Sequence, residues 1–265
     1  MKATDIIIFC GQSNMQGQTE RLSENEIVVS AFEYKFLDDL FVPLQNPVGE
    51  DICYDGTRGE VYSDKVIPQE WHVSHALGSS SSGKTNLVPS FCRSYIEKTT
   101  SNVIAVHAAK GSTDITCWLP PSREFSMMLN KAKAAIKKAK TEFFVRNIFF
   151  VWLQGESDAI ISRSKDEYKE KLSLLGETLK NELSIDAFGV IRVGKFTRDE
   201  RDLEIIAAQD EICKENELFL MLTDVAADFC EECGEMMNPL VGGHYSALGL
   251  ETLGKLAGET LGKFI

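Results

Sequence analysis

Ile6-Ile7-Ile8-Phe9-Cys10 runs directly into Gly11-Gln12-Ser13-Asn14-Met15, and the fold is read from this junction. A stretch apolar on consecutive residues, and rich in isoleucine, suits a strand buried on both faces, as in a parallel sheet, better than a half-exposed one. Asp5 stands in front of it, and the run is too short for the apolar region of a secretion signal. Gly11 permits a sharp turn at the carboxyl end of the strand. Ser13 then stands where open α/β sheets bind their ligands.

The same rhythm repeats along the chain. Strands are expected at Asp5–Cys10, Asn102–Ala108, Asn147–Leu153, Ala187–Val193 and Leu218–Thr223, each short and mostly apolar on successive residues. Helices are expected at Pro89–Lys98, Phe125–Thr141, Ser164–Leu183, Asp202–Asn216 and Ala247–Phe264. In the last of these, Leu248, Leu250, Leu253, Leu256, Leu261 and Phe264 form an apolar stripe at helical spacing. Alternation of this kind specifies an α/β fold, a three-layer α/β/α sandwich around a mainly parallel five-stranded sheet. The expected organisation is one domain over residues 1–265 with an irregular insertion around 36–88.

A chain of 265 residues can bury such a core. Its net charge of −12 argues against a nucleic-acid backbone as partner, which calls for a basic stripe. No apolar stretch approaches the roughly 18 residues of a membrane span, so neither membrane nor nucleic acid is an expected partner and the expected location is cytoplasmic. Seven cysteines, an odd number scattered through apolar segments, read as thiols in a reducing compartment. Cys230-Glu231-Glu232-Cys233 is a lone CxxC without a second pair or nearby histidines to complete a metal site. Gly78-Ser79-Ser80-Ser81-Ser82-Gly83-Lys84-Thr85 matches the phosphate-loop spacing literally. It follows no buried strand and meets Pro89 too soon for an anchored helix, so it reads as a loop.

Four blocks could carry chemistry. Ser13 follows the first strand, with backbone N–H groups close by for an oxyanion; the same serine could instead cap the following helix. Gly111, in Ala108-Ala109-Lys110-Gly111-Ser112-Thr113, follows the second strand and could bring a backbone N–H close to a substrate oxygen, or merely make a turn. Trp152-Leu153-Gln154-Gly155-Glu156-Ser157-Asp158 follows the third. Gly242-Gly243-His244-Tyr245-Ser246 precedes the last helix. Of the four histidines, His72 and His75 lie in the irregular segment and His107 within a strand, where a core role fits. His244, with glycines leaving room around its ring, can take a serine proton at neutral pH.

In this order the blocks resemble the SGNH hydrolases, with their flavodoxin-like sheet, and more closely the sialate O-acetylesterase and acetylxylan esterase branch (carbohydrate esterase family 6-like). The resemblance runs from Ile6 to about Gly262. It rests mainly on Gly-Gln-Ser-Asn-Met and Trp-x-Gln-Gly-Glu-Ser-Asp. It implies a serine esterase that removes acetyl groups from an acetylated mono- or oligosaccharide through an acyl-enzyme, with no metal or organic cofactor. Carried onto matching positions, Ser13 is the nucleophile and His244 the base. The Ser13 and Gly111 N–H groups and the Gln154 side chain are the oxyanion donors, with Gln12 and Asn14 beside them at the substrate site. Many relatives place an aspartate three residues before the histidine, where this chain has Val241. Glu156 is then the natural third member, with Asp158 and Asp224 as alternatives, unless the pair acts as a dyad. Val241 also motivates a reading as a non-catalytic carbohydrate-binding descendant. A third reading is an acyl hydrolase of lipids, thioesters or other small esters.

Overall fold

The computed structural model describes residues 2–19, 26–52, 85–197, 199–231, 234–238 and 242–265, with backbone only at 230 and 231. His72, His75, the Gly78–Lys84 stretch, Val241, Cys233 and the Cys230 side chain lie outside the described residues.

The described strands are β1 (Ala3–Gly11), β2 (Ala31–Lys35), β3 (Leu40–Pro43), β4 (Asn102–Ala109), β5 (Phe144–Leu153), β6 (Ala187–Ile191) and β7 (Phe219–Thr223). They form one seven-stranded sheet in the order β3-β2-β4-β1-β5-β6-β7. Every neighbouring pair is parallel except β2 with β3, which is antiparallel. The class is the expected one, but five strands is too few. The two additional strands, β2 and β3, do not look like strands in the sequence. Glu33 and Lys35 interrupt the apolar pattern of β2, and β3 is a short edge strand ending in a proline. Glu33 is nonetheless buried, its carboxylate accepting from the Gly49 N–H at 2.6 Å and pairing with the Lys35 ammonium at 2.8 Å.

Side-chain alternation along β1 explains its unbroken apolar run. Ile6, Ile8 and Cys10 enter the core on one face, while Ile7 and Phe9 enter the core on the other. The first face is covered by α3 (Arg123–Glu142), α5 (Lys165–Leu183) and α6 (Asp202–Glu215), through Met128, Leu172, Leu175, Ile205 and Ile212. The second is covered by α2 (Val88–Thr99) and α8 (Ala247–Phe264), through Phe91, Tyr95, Leu250, Leu253 and Leu261. Short helices α1 (Ser13–Gln16), α4 (Glu156–Ile160) and α7 (Ala226–Glu231) complete the set. No helix among the described residues is long and apolar enough to cross a membrane.

The strand order places the site. From β1 the chain builds β2, β3 and β4 on one side, and later β5, β6 and β7 on the other. The carboxyl end of β1 is therefore the topological switch point, flanked by the ends of β4 and β5 where a crevice opens. Gly11 at that end has φ +151°, and a Cβ there would lie 2.0 Å from the Leu153 carbonyl oxygen. Only glycine lets the two strand ends approach so closely.

Candidate active site

Ser13 is the first residue of α1 and is 6% exposed. Gln12, at the N-cap, makes no side-chain capping bond. The first-turn N–H groups of α1 have no partner four residues earlier in the helix, so no cap competes for them. The turn is held from both sides. From β4, the buried His107 ring places Nε2 3.0 Å from the Met15 carbonyl oxygen. A carbonyl can only accept, so Nε2 carries the proton. Burial lowers this imidazole to about 3, with the bond to Met15 a smaller opposing influence. His107 is thus a neutral strut under α1, in keeping with its expected core role.

From β5, Gln12 Oε1 accepts from Ser157 N at 3.1 Å, Gly155 N at 3.4 Å and Gln154 Nε2 at 3.2 Å. Gln154 has no exposed surface. Its Nε2 also donates to Thr113 O at 3.1 Å and Asp158 Oδ2 at 2.5 Å, and its Oε1 accepts from the Tyr168 hydroxyl at 3.0 Å. An amide whose two N–H donors are engaged inside the protein ties loops together; it does not present a free donor to an oxyanion. Asp158 is also committed, accepting from Ile115 N at 3.0 Å and pairing with Arg163. Asp224 is exposed and faces Arg192 at 4.0 Å. Neither is bonded to His244.

Gly111 does stand at the end of β4, but its N–H donates to Gln16 Oε1 at 2.8 Å. Gln16, one turn along α1 from Ser13, is a site residue that sequence reasoning misses. Nothing about a glutamine in that position announces that it reaches across to β4.

His244 lies in a loop stitched to the nucleophile turn. Asn14, 1% exposed and next to Ser13, accepts from Tyr245 N through Oδ1 at 3.1 Å and donates from Nδ2 to Gly243 O at 3.4 Å. Gly243 and Tyr245 are the two chain neighbours of His244. The His244 carbonyl accepts from Asn238 N at 2.8 Å, and Ser246 caps α8 by accepting from Gly249 N at 3.1 Å. The first and last blocks are thereby brought together across 231 positions.

The imidazole Nδ1 lies 2.9 Å from the Gly242 carbonyl oxygen. That contact requires Nδ1–H, leaving the lone pair on Nε2, the tautomer a general base needs. Nε2 is buried and has no partner among the described residues. Burial lowers the His244 pKa below its ordinary value, while the Gly242 contact opposes the shift. The Ser13 hydroxyl makes no hydrogen bond to this nitrogen; contacts of that kind often tighten only when substrate binds.

Glu156, the expected third member, is not bonded to the imidazole. Its Oε1 accepts from Asn14 Nδ2 at 2.6 Å, and its buried Oε2 has no partner among the described residues. Burial raises this carboxyl to about 7, with Asn14 pulling the other way. An acid with a raised folded pKa favours the protonated form, so ionising it costs stability as pH rises from the unfolded value near 4.3 to about 7. Glu156→Gln does not titrate and keeps an acceptor for Asn14. Its stability relative to wild type should rise by roughly 2–3 kcal/mol between pH 5 and pH 8, read by urea unfolding at both pH values. A constant difference would show that Glu156 titrates normally.

Residues 3–228 match the family model described as carbohydrate esterase, sialic acid-specific acetylesterase. No curated protein sequence matches the chain. Among solved structures, a protein of Arabidopsis thaliana superposes with TM-score 0.67 at 16% identity, covering 98% of this chain and 99% of its own. NanS superposes with TM-score 0.66 at 11% identity, covering 99% and 98%. A carbohydrate acetylesterase from Xanthomonas citri gives TM-score 0.50 at 11% identity, covering 100% of this chain and 57% of its own. At such identities the structural likeness concerns the fold.

Proposed function

The chain belongs to the carbohydrate esterase family of sialic acid-specific acetylesterases, and on that premise we propose that Ser13 and His244 hydrolyse O-acetyl esters on a sugar, acting as a dyad. The observation that carries the dyad is the Gly242 carbonyl on Nδ1 of His244, which fixes the tautomer and orientation of the ring, the part of a triad carboxylate's work that needs no charge.

Ser13 Oγ attacks the acetyl carbonyl carbon while His244 Nε2 takes its proton. The carbonyl electron pair moves onto oxygen, which faces the Ser13 N–H. Collapse of this intermediate expels the sugar oxygen, and the imidazolium returns the proton to it. The acetyl group is now esterified to Ser13. Water, deprotonated by the same Nε2, attacks the acetyl carbon, and departure of Ser13 Oγ with its proton restored releases acetate. An O-acetylated sialic acid is the favoured substrate, from the family alone. Acetate release from O-acetylated sialic acid should exceed that from acetylated xylo-oligosaccharides at equal ester concentration. Preference for the xylan fragments would overturn the substrate assignment and leave the chemistry standing.

The Gly111 N–H also serves the oxyanion in this proposal, which requires Gln16 to yield it. Gln16→Met keeps the side-chain length and frees the donor before substrate arrives. We expect kcat to rise about threefold, the worth of one ordinary hydrogen bond, at a stability cost of about 1–2 kcal/mol. A fall in kcat with unchanged stability would mean that Gly111 N–H serves to hold Gln16 and not the oxyanion.

The Ser13 hydroxyl, without a hydrogen bond among the described residues, favours one other reading, a binding protein that keeps the fold without the chemistry. A fluorophosphonate probe separates the two, because sugar binding alone leaves Ser13 unlabelled.

A further inference from the structure

The Asn14 carboxamide is held at both ends by groups of opposite character. On the Nδ2 side are two acceptors, Glu156 Oε1 at 2.6 Å and Gly243 O at 3.4 Å. On the Oδ1 side is one donor, Tyr245 N at 3.1 Å. A primary amide turned by 180° would face acceptors with oxygen and a donor with nitrogen, so this set of partners admits one orientation. Gly243 and Tyr245 flank His244, and Asn14 follows Ser13 in the chain. One side chain therefore fixes the backbone on both sides of the base relative to the nucleophile.

Glu156 makes the shortest of the three contacts, at 2.6 Å, and it reaches the histidine loop only through Asn14. The other carboxylates facing it are engaged elsewhere. Asp158 is bonded to Gln154 and Arg163, and Asp202 accepts from Phe196 N at 2.9 Å and Thr197 N at 2.6 Å. No cation pairs with Glu156 among the described residues. A buried carboxyl group with one oxygen unpartnered among the described residues is costly to keep.

We infer that Glu156 is a positioning residue, not the acid of a triad: it locks the Asn14 carboxamide, and Asn14 clamps the His244 loop onto the Ser13 turn. The inference rests on the esterase reading for its consequence in rate, but the clamp itself is a statement about geometry. Two roles that motif comparison merges are thereby separated. A carboxylate on the imidazole would act by charge, whereas a carboxylate on Asn14 acts by accepting a hydrogen bond. A neutral acceptor can do the second and cannot do the first.

The test is a set of four variants read in two ways. Glu156→Gln, which presents an amide oxygen to Asn14, should keep kcat within about fivefold of wild type, whereas losing a triad carboxylate costs about 10⁴. Asn14→Ala, which deletes the clamp, should lose about 10² in kcat with little change in KM, as misplacement of a catalytic group does. Asn14→Asp sets two carboxylates against each other and should lose at least as much. Asn14→Asp combined with Glu156→Gln reverses donor and acceptor, the introduced amide now donating to the introduced carboxylate, and should regain at least tenfold over Asn14→Asp alone.

The second readout needs no turnover. The pKa of the His244 ring, followed by NMR, should stay within about 0.3 unit in Glu156→Gln. Neutralising a carboxylate in contact with the ring would lower it by about 1 unit or more. The Gly243 and Tyr245 amide resonances should shift in Asn14→Ala. Collapse of kcat in Glu156→Gln together with a lowered His244 pKa would overturn the inference, as would a double variant no better than Asn14→Asp. Should wild type release no acetate and Ser13 take no fluorophosphonate, the esterase reading falls. The NMR readings then decide the clamp by themselves.

Discussion

Ser13→Ala should lower kcat for acetyl-ester hydrolysis by about five orders of magnitude, leaving only what binding and the oxyanion donors can do for attack by water. Ser13 stands at the head of α1, at the switch point of the sheet. The fold should be indifferent to the change, because the hydroxyl makes no hydrogen bond among the described residues and α1 is held by His107 and Gln12. Unfolding free energies for Ser13→Ala and wild type should therefore agree within about 0.5 kcal/mol. Acetate release at more than a few per cent of the wild-type rate, from a protein of unchanged stability, would show that Ser13 is not the nucleophile.

His244→Gly should cause a loss of similar size, since serine and base act as a unit and removing either disables both. It differs from Ser13→Ala in one informative way. The imidazole projects from a loop between glycine and tyrosine, and its removal opens a space beside the Gly242 carbonyl. Added imidazole should restore part of the rate to His244→Gly and none to Ser13→Ala. In wild type, the depressed His244 pKa keeps the base neutral below its ordinary value near 6.5. The acid limb of kcat/KM should therefore fall below that value. A limb near 7 that disappears in Glu156→Gln would report Glu156 instead. Failure of imidazole to rescue any activity, with a limb unmoved by either change, would remove His244 from the mechanism.

Much of the fold is legible in the sequence because parallel strands buried on both faces cannot hide. Ile6–Cys10, Ile148–Leu153 and Val103–Val106 are apolar on consecutive residues, and the amphipathic stretches between and after the strands give the five helices. Observed bounds of these helices lie within two residues of those expected. β2 and β3 escape because part of what satisfies them lies outside the strands. Glu33 is tolerated in a strand only because Gly49 and Lys35 satisfy it, and no local pattern announces that.

The site divides along the same line. Which blocks meet is readable, since Gly11, Gly111 and Gly155 each follow a strand whose carboxyl end must face the same rim. Which atoms bond is not. Gln154 looks like a donor in sequence, yet Gln12, Thr113, Asp158 and Tyr168 consume its capacity. Glu156 looks like a triad acid, yet Asn14 stands between it and the histidine loop. The Gly242 carbonyl, which faces Nδ1 of His244, belongs to the backbone and carries no residue signature at all.

The acyl-enzyme is the intermediate on which the whole account depends, and it can be caught. Wild-type protein mixed with an activated acetyl ester, quenched in acid and digested, should yield one peptide heavier by a single acetyl group, with fragmentation placing that group on Ser13. The adduct should be absent from Ser13→Ala and should form far more slowly in His244→Gly. Acetylation at another side chain, or rapid turnover with Ser13 unmodified at every quench time, would contradict a mechanism in which Ser13 is the nucleophile.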